Sequence, residues 1–372
     1  MKFIKILLIL FVLNSCVKQE KVKQEKVKLD IPVYRFDKEF SEINDENYDK
    51  KLTQITSKFP GLTDYYLTNH IGMINSNDSI KRENILLFNS HTDVISFQEK
   101  IDNHFTNTKE ISNKINESFG IYKYNFPEKE IPENIIFINA FNSYGVDSYI
   151  NNLIIGLDFY LGEEHLMFDN IYEYLKIRYD EKFMVADAME YWLSSEFIDT
   201  DDSKTFLDEL IFKGKIMYIM NECFPNEAEN IIFRFTEEDL TWCKTHEENI
   251  WNEILKMDLI YKSDESNYIS FFHDSPFTKG MPKESPGRLG YFMGYKIIES
   301  YMKENNISLK ELMKNTNSQE IFLKSRYIPK NQDQDNSIDK QSQESWIKKY
   351  WWTIFGFILF LGYFIQNNYV KK

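Results

Sequence analysis

The string His246-Glu247-Glu248-Asn249-Ile250 comes close to a zinc site and falls one residue short. A zinc-protease helix carries His at both i and i+4, so that two imidazoles on one face share the metal and a Glu between them acts as base. Here the i+4 position is Ile250, and one imidazole cannot hold zinc. The other histidines, at positions 70, 91, 104, 165 and 273, stand singly, with no pair at ligand spacing. Neither a Gly-x-Ser-x-Gly elbow nor a Walker-type phosphate loop occurs. Asp158 and Glu163 bracket Leu161-Gly162 and could touch a cation, although a strand leaving into a glycine turn accounts for the same pattern. The chain therefore reads as one without a catalytic set, a metal or a cofactor.

A second kind of chemistry is presented by backbone. The densest Pro/Gly stretch of the body runs from Ser275 to Arg288 and leads straight into a helical period from Leu289 to Met302. A rigid loop ending at a helix start can offer N–H groups and the Arg288 guanidinium to an anionic group. Gly290 and Gly294 lie one turn apart and would let another element approach closely. Pro286, Gly287, Arg288, Gly290 and Gly294 are thus the candidate partner-docking residues. A structural loop with tight packing is the plainer account of the same residues.

The N-terminus carries covalent chemistry. Lys2 and Lys5 precede a continuous apolar stretch from Ile6 to Leu13, the form of a secretory signal too short to span a bilayer. It ends in Leu13-Asn14-Ser15-Cys16, which fits a lipobox, with Cys16 taking the lipid before the leader is cut. Then comes Val17-Lys18-Gln19-Glu20-Lys21, repeated at once as Val22-Lys23-Gln24-Glu25-Lys26, with no apolar face. It reads as a solvated tether. Beyond Cys16 the chain has Cys223 and Cys243, which could pair in an oxidising compartment or stay as two buried thiols.

These residues need elements to position them. The expected layout is a signal peptide over 1–15, a lipidated tether over 16–28, a body over 29–328, a polar linker over 329–345 and an apolar helix over 346–368. Within the body, alternation across Leu29–Asp37 suggests a short strand. Residues 40–118 are mostly helical in pattern, with breaks near 59–61 and 75–78. Ile135–Asn139 and Leu153–Asp158 form a central strand pair around a Gly- and Asn-containing connection. Clear helical periods follow at Val185–Phe197, Phe206–Met220, His246–Met257 and Leu289–Lys303, with Thr245 and Glu248 as a capping box for the third. The fold class is α+β, predominantly helical with a small central sheet.

The 372-residue chain has a net charge of -14, a hydrophobic fraction of 42% and an aromatic fraction of 16%, enough for a real core. Residues 1–28 carry +5 and residues 346–372 carry +4, which leaves -23 between them. So acidic a body repels phosphate backbones, and no nucleic acid is expected as partner. At the other end, Trp346, Tyr350, Trp351 and Trp352 open an apolar run flanked by Lys348-Lys349 and Lys371-Lys372. Aromatics and lysines at both rims suit a spanning or membrane-lying helix. A spanning helix belongs in an inner membrane and many lipoproteins move to the outer one, so both membranes stay open.

Arg35-Phe36-Asp37, the run Gly156-Leu157-Asp158-Phe159-Tyr160-Leu161-Gly162, Trp242-Cys243 with Glu247 to Trp251, and above all Ser275 to Met302 resemble the GldB family of gliding-motility lipoproteins. The resemblance covers roughly residues 13–328. It implies an envelope lipoprotein required for gliding and associated with proteins of the gliding machinery. The absence of a complete catalytic set favours a non-enzymatic component, and the leader has it facing the periplasm. The chain is also similar, more distantly, to predicted zinc-dependent proteases. That likeness implies a degenerate metalloprotease-like (zincin-like) scaffold, and with it the alternative of an envelope hydrolase with an unrecognised active site.

Overall fold

The computed structural model describes residues 25–73, 78–162, 171–198 and 204–330. Cys16, the linker from residue 331 onward, the C-terminal apolar segment, Glu163 and His165 lie outside the described residues. The elements, in chain order, are β1 (Val33–Arg35), α1 (Phe36–Ser41), α2 (Tyr48–Lys58), α3 (Leu62–Tyr65), α4 (Asp78–Ser90), α5 (Thr92–His104), α6 (Lys109–Asn125), β2 (Asn134–Ile138), β3 (Val146–Tyr149), β4 (Asn152–Gly156), α7 (Glu173–Lys176), α8 (Met184–Glu196), α9 (Phe206–Cys223), α10 (Glu229–Phe233), α11 (Glu237–Thr245), α12 (Glu247–Lys256), α13 (Leu289–Asn305), α14 (Leu309–Lys314) and α15 (Ser318–Ser325). Helix α3 continues as one π-helical turn, Tyr66–His70, and short 3₁₀ turns fill several connections. The expected fold class, mostly helical with one small sheet, is the observed one.

The chain divides into two units, the first holding residues up to 199 with 218–232 and 308–314, the second holding the remainder. The sheet belongs to the first. Its order is β1-β2-β4-β3, with β1, β2 and β4 parallel and β3 antiparallel to β4. Ile136, Ile138 and Ile154 face a core of Phe36, Phe40, Ile55, Leu62, Tyr66 and Ile85. Helix α8 packs against β3 and β4, and α6 packs against α8. Burial from both sides explains why Ile135-Ile136-Phe137-Ile138 is a continuous apolar run, as parallel strands require. The expected strand pair exists, but it is parallel in register from Asn134↔Asn152 to Ile138↔Gly156. Its connection holds a further strand, β3, whose residues are all half-buried and carry no apolar run to announce them.

The second unit is helical. Residues 206–217 of α9, helices α11 to α13 and α15 belong to it. The capping box falls elsewhere than expected: Thr236 and Asp239 close the box at the start of α11. Thr245 instead ends α11, its hydroxyl donating back to Thr241 O at 2.9 Å, and His246 is the N-cap of α12 without a side-chain cap bond. The Ser/Thr hydroxyl bonds one turn back when its own backbone is already helical, so the same three-residue spacing carries no cap. Among the described residues no helix is long and apolar enough to cross a membrane.

Candidate functional site

Two places in the fold gather the residues singled out above, one in each unit. In the first unit the parallel strands β1, β2 and β4 all end at one edge of the sheet, and polar residues stand at or within two residues of each strand end: Arg35 and Asp37, Asn139, and Asp158. At the end of β1, the Arg35 guanidinium grips Asp37 through Nε (2.9 Å) and Nη2 (2.7 Å), and reaches Asp102 at 2.6 Å and Phe105 O at 3.0 Å. Asp37 is 2% exposed and also accepts from Gln98 Nε2 at 2.9 Å. A forked guanidinium on a buried carboxylate satisfies both charge and geometry.

After β4, Asp158 is fully buried, its two oxygens accepting the backbone N–H of Ala140 (2.6 Å) and Asn142 (2.5 Å) in the turn that follows β2. That turn is strained: Phe141 (φ 51) and Asn142 (φ 58) are consecutive non-glycine residues in the left-handed region. Burial pushes the Asp158 carboxyl up to about 6, against the pull of the two amides and with a further push from the Asp37 charge. Asp158 therefore clamps the turn after β2, and the expected pairing with Glu163 around a cation falls on a residue outside the described ones. Tyr66 closes the edge by donating to Asn139 O at 2.8 Å.

Beside this edge sits Asp147 of β3. It accepts Tyr65 Oη, Tyr191 Oη at 3.1 Å and the Ser148 amide at 2.8 Å, and His70 Nε2 lies 3.3 Å from it. Burial alone would raise the Asp147 carboxyl, but bonds from His70, Tyr65, Ser148 and Tyr191 outweigh it and hold it below the usual range. The π-turn Tyr66–His70 aims the imidazole here, an unusual helical turn of the kind found at functional sites. In the sequence His70 stands as a lone histidine. Asp147, 77 residues further on, could be joined to it only by the fold.

In the second unit the Pro/Gly loop folds on itself. Thr278 Oγ1 donates to Pro286 O (2.7 Å), the Lys279 amide to Ser270 Oγ (2.9 Å), and the Ser285 amide to Pro282 O (3.0 Å). Arg288 is the N-cap of α13 at φ 60, 6% exposed, its guanidinium carbon 4.0 Å from the Tyr291 ring centroid. Pro286, Gly290 and Gly294 are buried as well, and Gly287 is half-buried against Ser275. The exposed rim is Lys279-Gly280 and Pro282-Lys283-Glu284.

The expected close approach along α13 is real. A Cβ on Gly294 would lie 2.1 Å from Leu210 O, and one on Gly214 would lie 2.3 Å from Gly294 O, so α9 and α13 cross backbone to backbone. Gly290 faces the Phe272 ring and Phe271 O instead. Gly214, the other half of the crossing, is missed by sequence reasoning. Its signal is a lone glycine inside the long apolar period of α9, which marks a packing contact as often as a weak point.

The near-zinc string is spent on structure. His246 stacks on Trp242 with ring centroids 4.5 Å apart and its Nδ1 lies 2.8 Å from Trp242 O. Glu247 is 3% exposed and accepts Tyr327 Oη (2.9 Å) and the Lys330 amide (3.1 Å). Among the described residues no group of three His, Cys, Asp or Glu side chains could hold a metal ion. Cys223 and Cys243 are both free and buried.

No curated protein and no solved structure matches the chain. The family described as gliding motility protein GldB matches residues 16–329, most of the sequence, and the chain belongs to that family.

Proposed function

We propose that the chain is a non-enzymatic envelope lipoprotein that serves the gliding machinery as a component or an assembly factor, attached by a lipid on Cys16 and facing the periplasm. The family match carries this reading, because it begins at Cys16, the residue that the leader pattern makes the first of the mature chain, and continues to residue 329. The apolar segment 346–368, with its aromatic rim and flanking lysines, is a second membrane contact in this reading. The partner-docking surface is the Pro/Gly loop of the second unit. Pro286, Gly287, Arg288, Gly290 and Gly294 form its buried frame and Pro282-Lys283-Glu284 its exposed rim. A rim held on a rigid frame binds with little ordering cost.

The test is movement of single cells on a wet surface after in-frame deletion and again after restoring the gene. Loss with rescue supports the reading, and normal movement defeats it. Cys16→Ala should abolish fatty-acid labelling, and unchanged labelling would remove the anchor from the account.

A further inference from the structure

The chain is fastened to the body four residues before the expected start of the fold at Leu29. The Val27 amide donates to Gly120 O at 3.0 Å, Lys26 pairs with Glu117, and Glu25 accepts Tyr124 Oη, all on α6. The next fastening is Ile31 N on Asn116 Oδ1 at 2.8 Å. The glycine is what admits the strand, since a Cβ at position 120 would stand 2.4 Å from Val27 O. The last two residues of the second pentad, Glu25 and Lys26, are therefore bound, and eight residues, 17–24, separate Cys16 from the clamp.

Chain geometry turns that count into an orientation. From Cys16 to Glu25 the backbone reaches at most about 30 Å. With the clamp open, the reach to Ile31 grows to about 50 Å. The first unit, roughly 200 residues, is about 40 Å across as a compact body. Its far side lies beyond the clamped reach and within the released one.

We infer that the clamp of Glu25-Lys26-Val27 on α6 orients the first unit so that the Tyr124 end of α6 faces the lipid headgroups. The inference rests on lipid attachment at Cys16. Without the clamp the same anchor leaves the body free to turn.

The test uses the full lipidated chain in phosphatidylethanolamine–phosphatidylglycerol vesicles, with limited trypsin digestion and mass measurement of the resistant core. The intact chain should be cut after Lys21 and Lys23, giving a core that starts at Val22 or Gln24. Gly120→Val should shift the start to Val27 or Leu29. Lys26→Glu, which opposes Glu117 without touching the helix core, should move it to Leu29 even if Gly120→Val folds poorly. Equal cutting after Lys23 and Lys28 in the intact chain would overturn the clamp. A fluorophore on Pro127→Cys, an exposed position just past α6, should be quenched by headgroup-labelled lipid and lose most of that quenching with Lys26→Glu. Quenching unchanged by Lys26→Glu would overturn the orientation. An intact chain that carries no fatty acid would sink the anchor itself, whereas the trypsin boundary reports on the clamp with or without lipid.

Discussion

The sheet edge of the first unit and the α9–α13 crossing of the second solve opposite problems. At the edge, backbone is forced into a costly conformation at Phe141 and Asn142, and a buried carboxylate holds it there through two amides. At the crossing, two backbones touch because Gly214 and Gly294 lack side chains. One region is held by a carboxyl group that can be titrated and the other by volume that cannot. The edge should therefore respond in degrees to pH and substitution, whereas the crossing should fail at once when any atom is added.

The largest effect should come from Gly294→Val. Its added carbons have no direction of escape between Leu210 O and Gly214, and the loss should be about 4 kcal/mol or more, enough to prevent folding of the second unit. Urea unfolding or soluble yield measures it, and a variant within 1 kcal/mol of the parent, on the order of an ordinary surface change, would refute backbone contact at the crossing.

Asp158→Ala comes next. It strands the buried amide of Ala140 and the half-buried amide of Asn142 and releases the strained turn, for a loss of about 2–4 kcal/mol. The pH dependence sharpens the contrast. The folded-state pKa of Asp158 is raised from 3.8 to about 6, so between those values the native state binds the extra proton. Its contribution to stability is greatest at acid pH and declines as pH rises through about 6. Asp147 has the opposite sign, contributing above the ordinary carboxylate range and losing that contribution as pH falls through its lowered value. Asp158→Asn should flatten the decline between pH 4 and pH 6, and an unchanged slope would place the proton elsewhere.

Much of this was legible beforehand, for reasons that differ by element. Long buried helices such as α9 and α13 carry an apolar period over many residues, and β2 and β4 are apolar on both faces, so both kinds could be read. β3 could not, because an edge strand with half-buried polar residues has no pattern of its own. Thr245 and Glu248 show the spacing of a cap without forming one, because a Ser/Thr-x-x-acid spacing also occurs at a helix end. Arg35-Phe36-Asp37 and Gly156–Asp158 were recognised as strings, but only the parallel pairing of β1, β2 and β4 brings them to one edge. The Asp147–His70 contact joins residues far apart in the chain, and neither type nor spacing hints at it. The loop at Ser275–Arg288 was legible as a feature. That its named residues form the buried frame, and that Lys283 and Glu284 form the rim, was not.

The smallest effect on stability should belong to that rim. Reversing it with Lys283→Glu and Glu284→Lys together alters two exposed side chains and should leave unfolding within about 0.5 kcal/mol of the parent. It should nevertheless abolish or severely reduce gliding if the loop docks a partner. The most direct measurement is therefore single-cell movement in a strain carrying this double reversal in place of the natural gene, with fatty-acid labelling and protein level confirmed as normal. The account predicts cells that hold a folded, lipidated protein and do not glide. Cells that glide normally would contradict it and return the loop to a purely structural role.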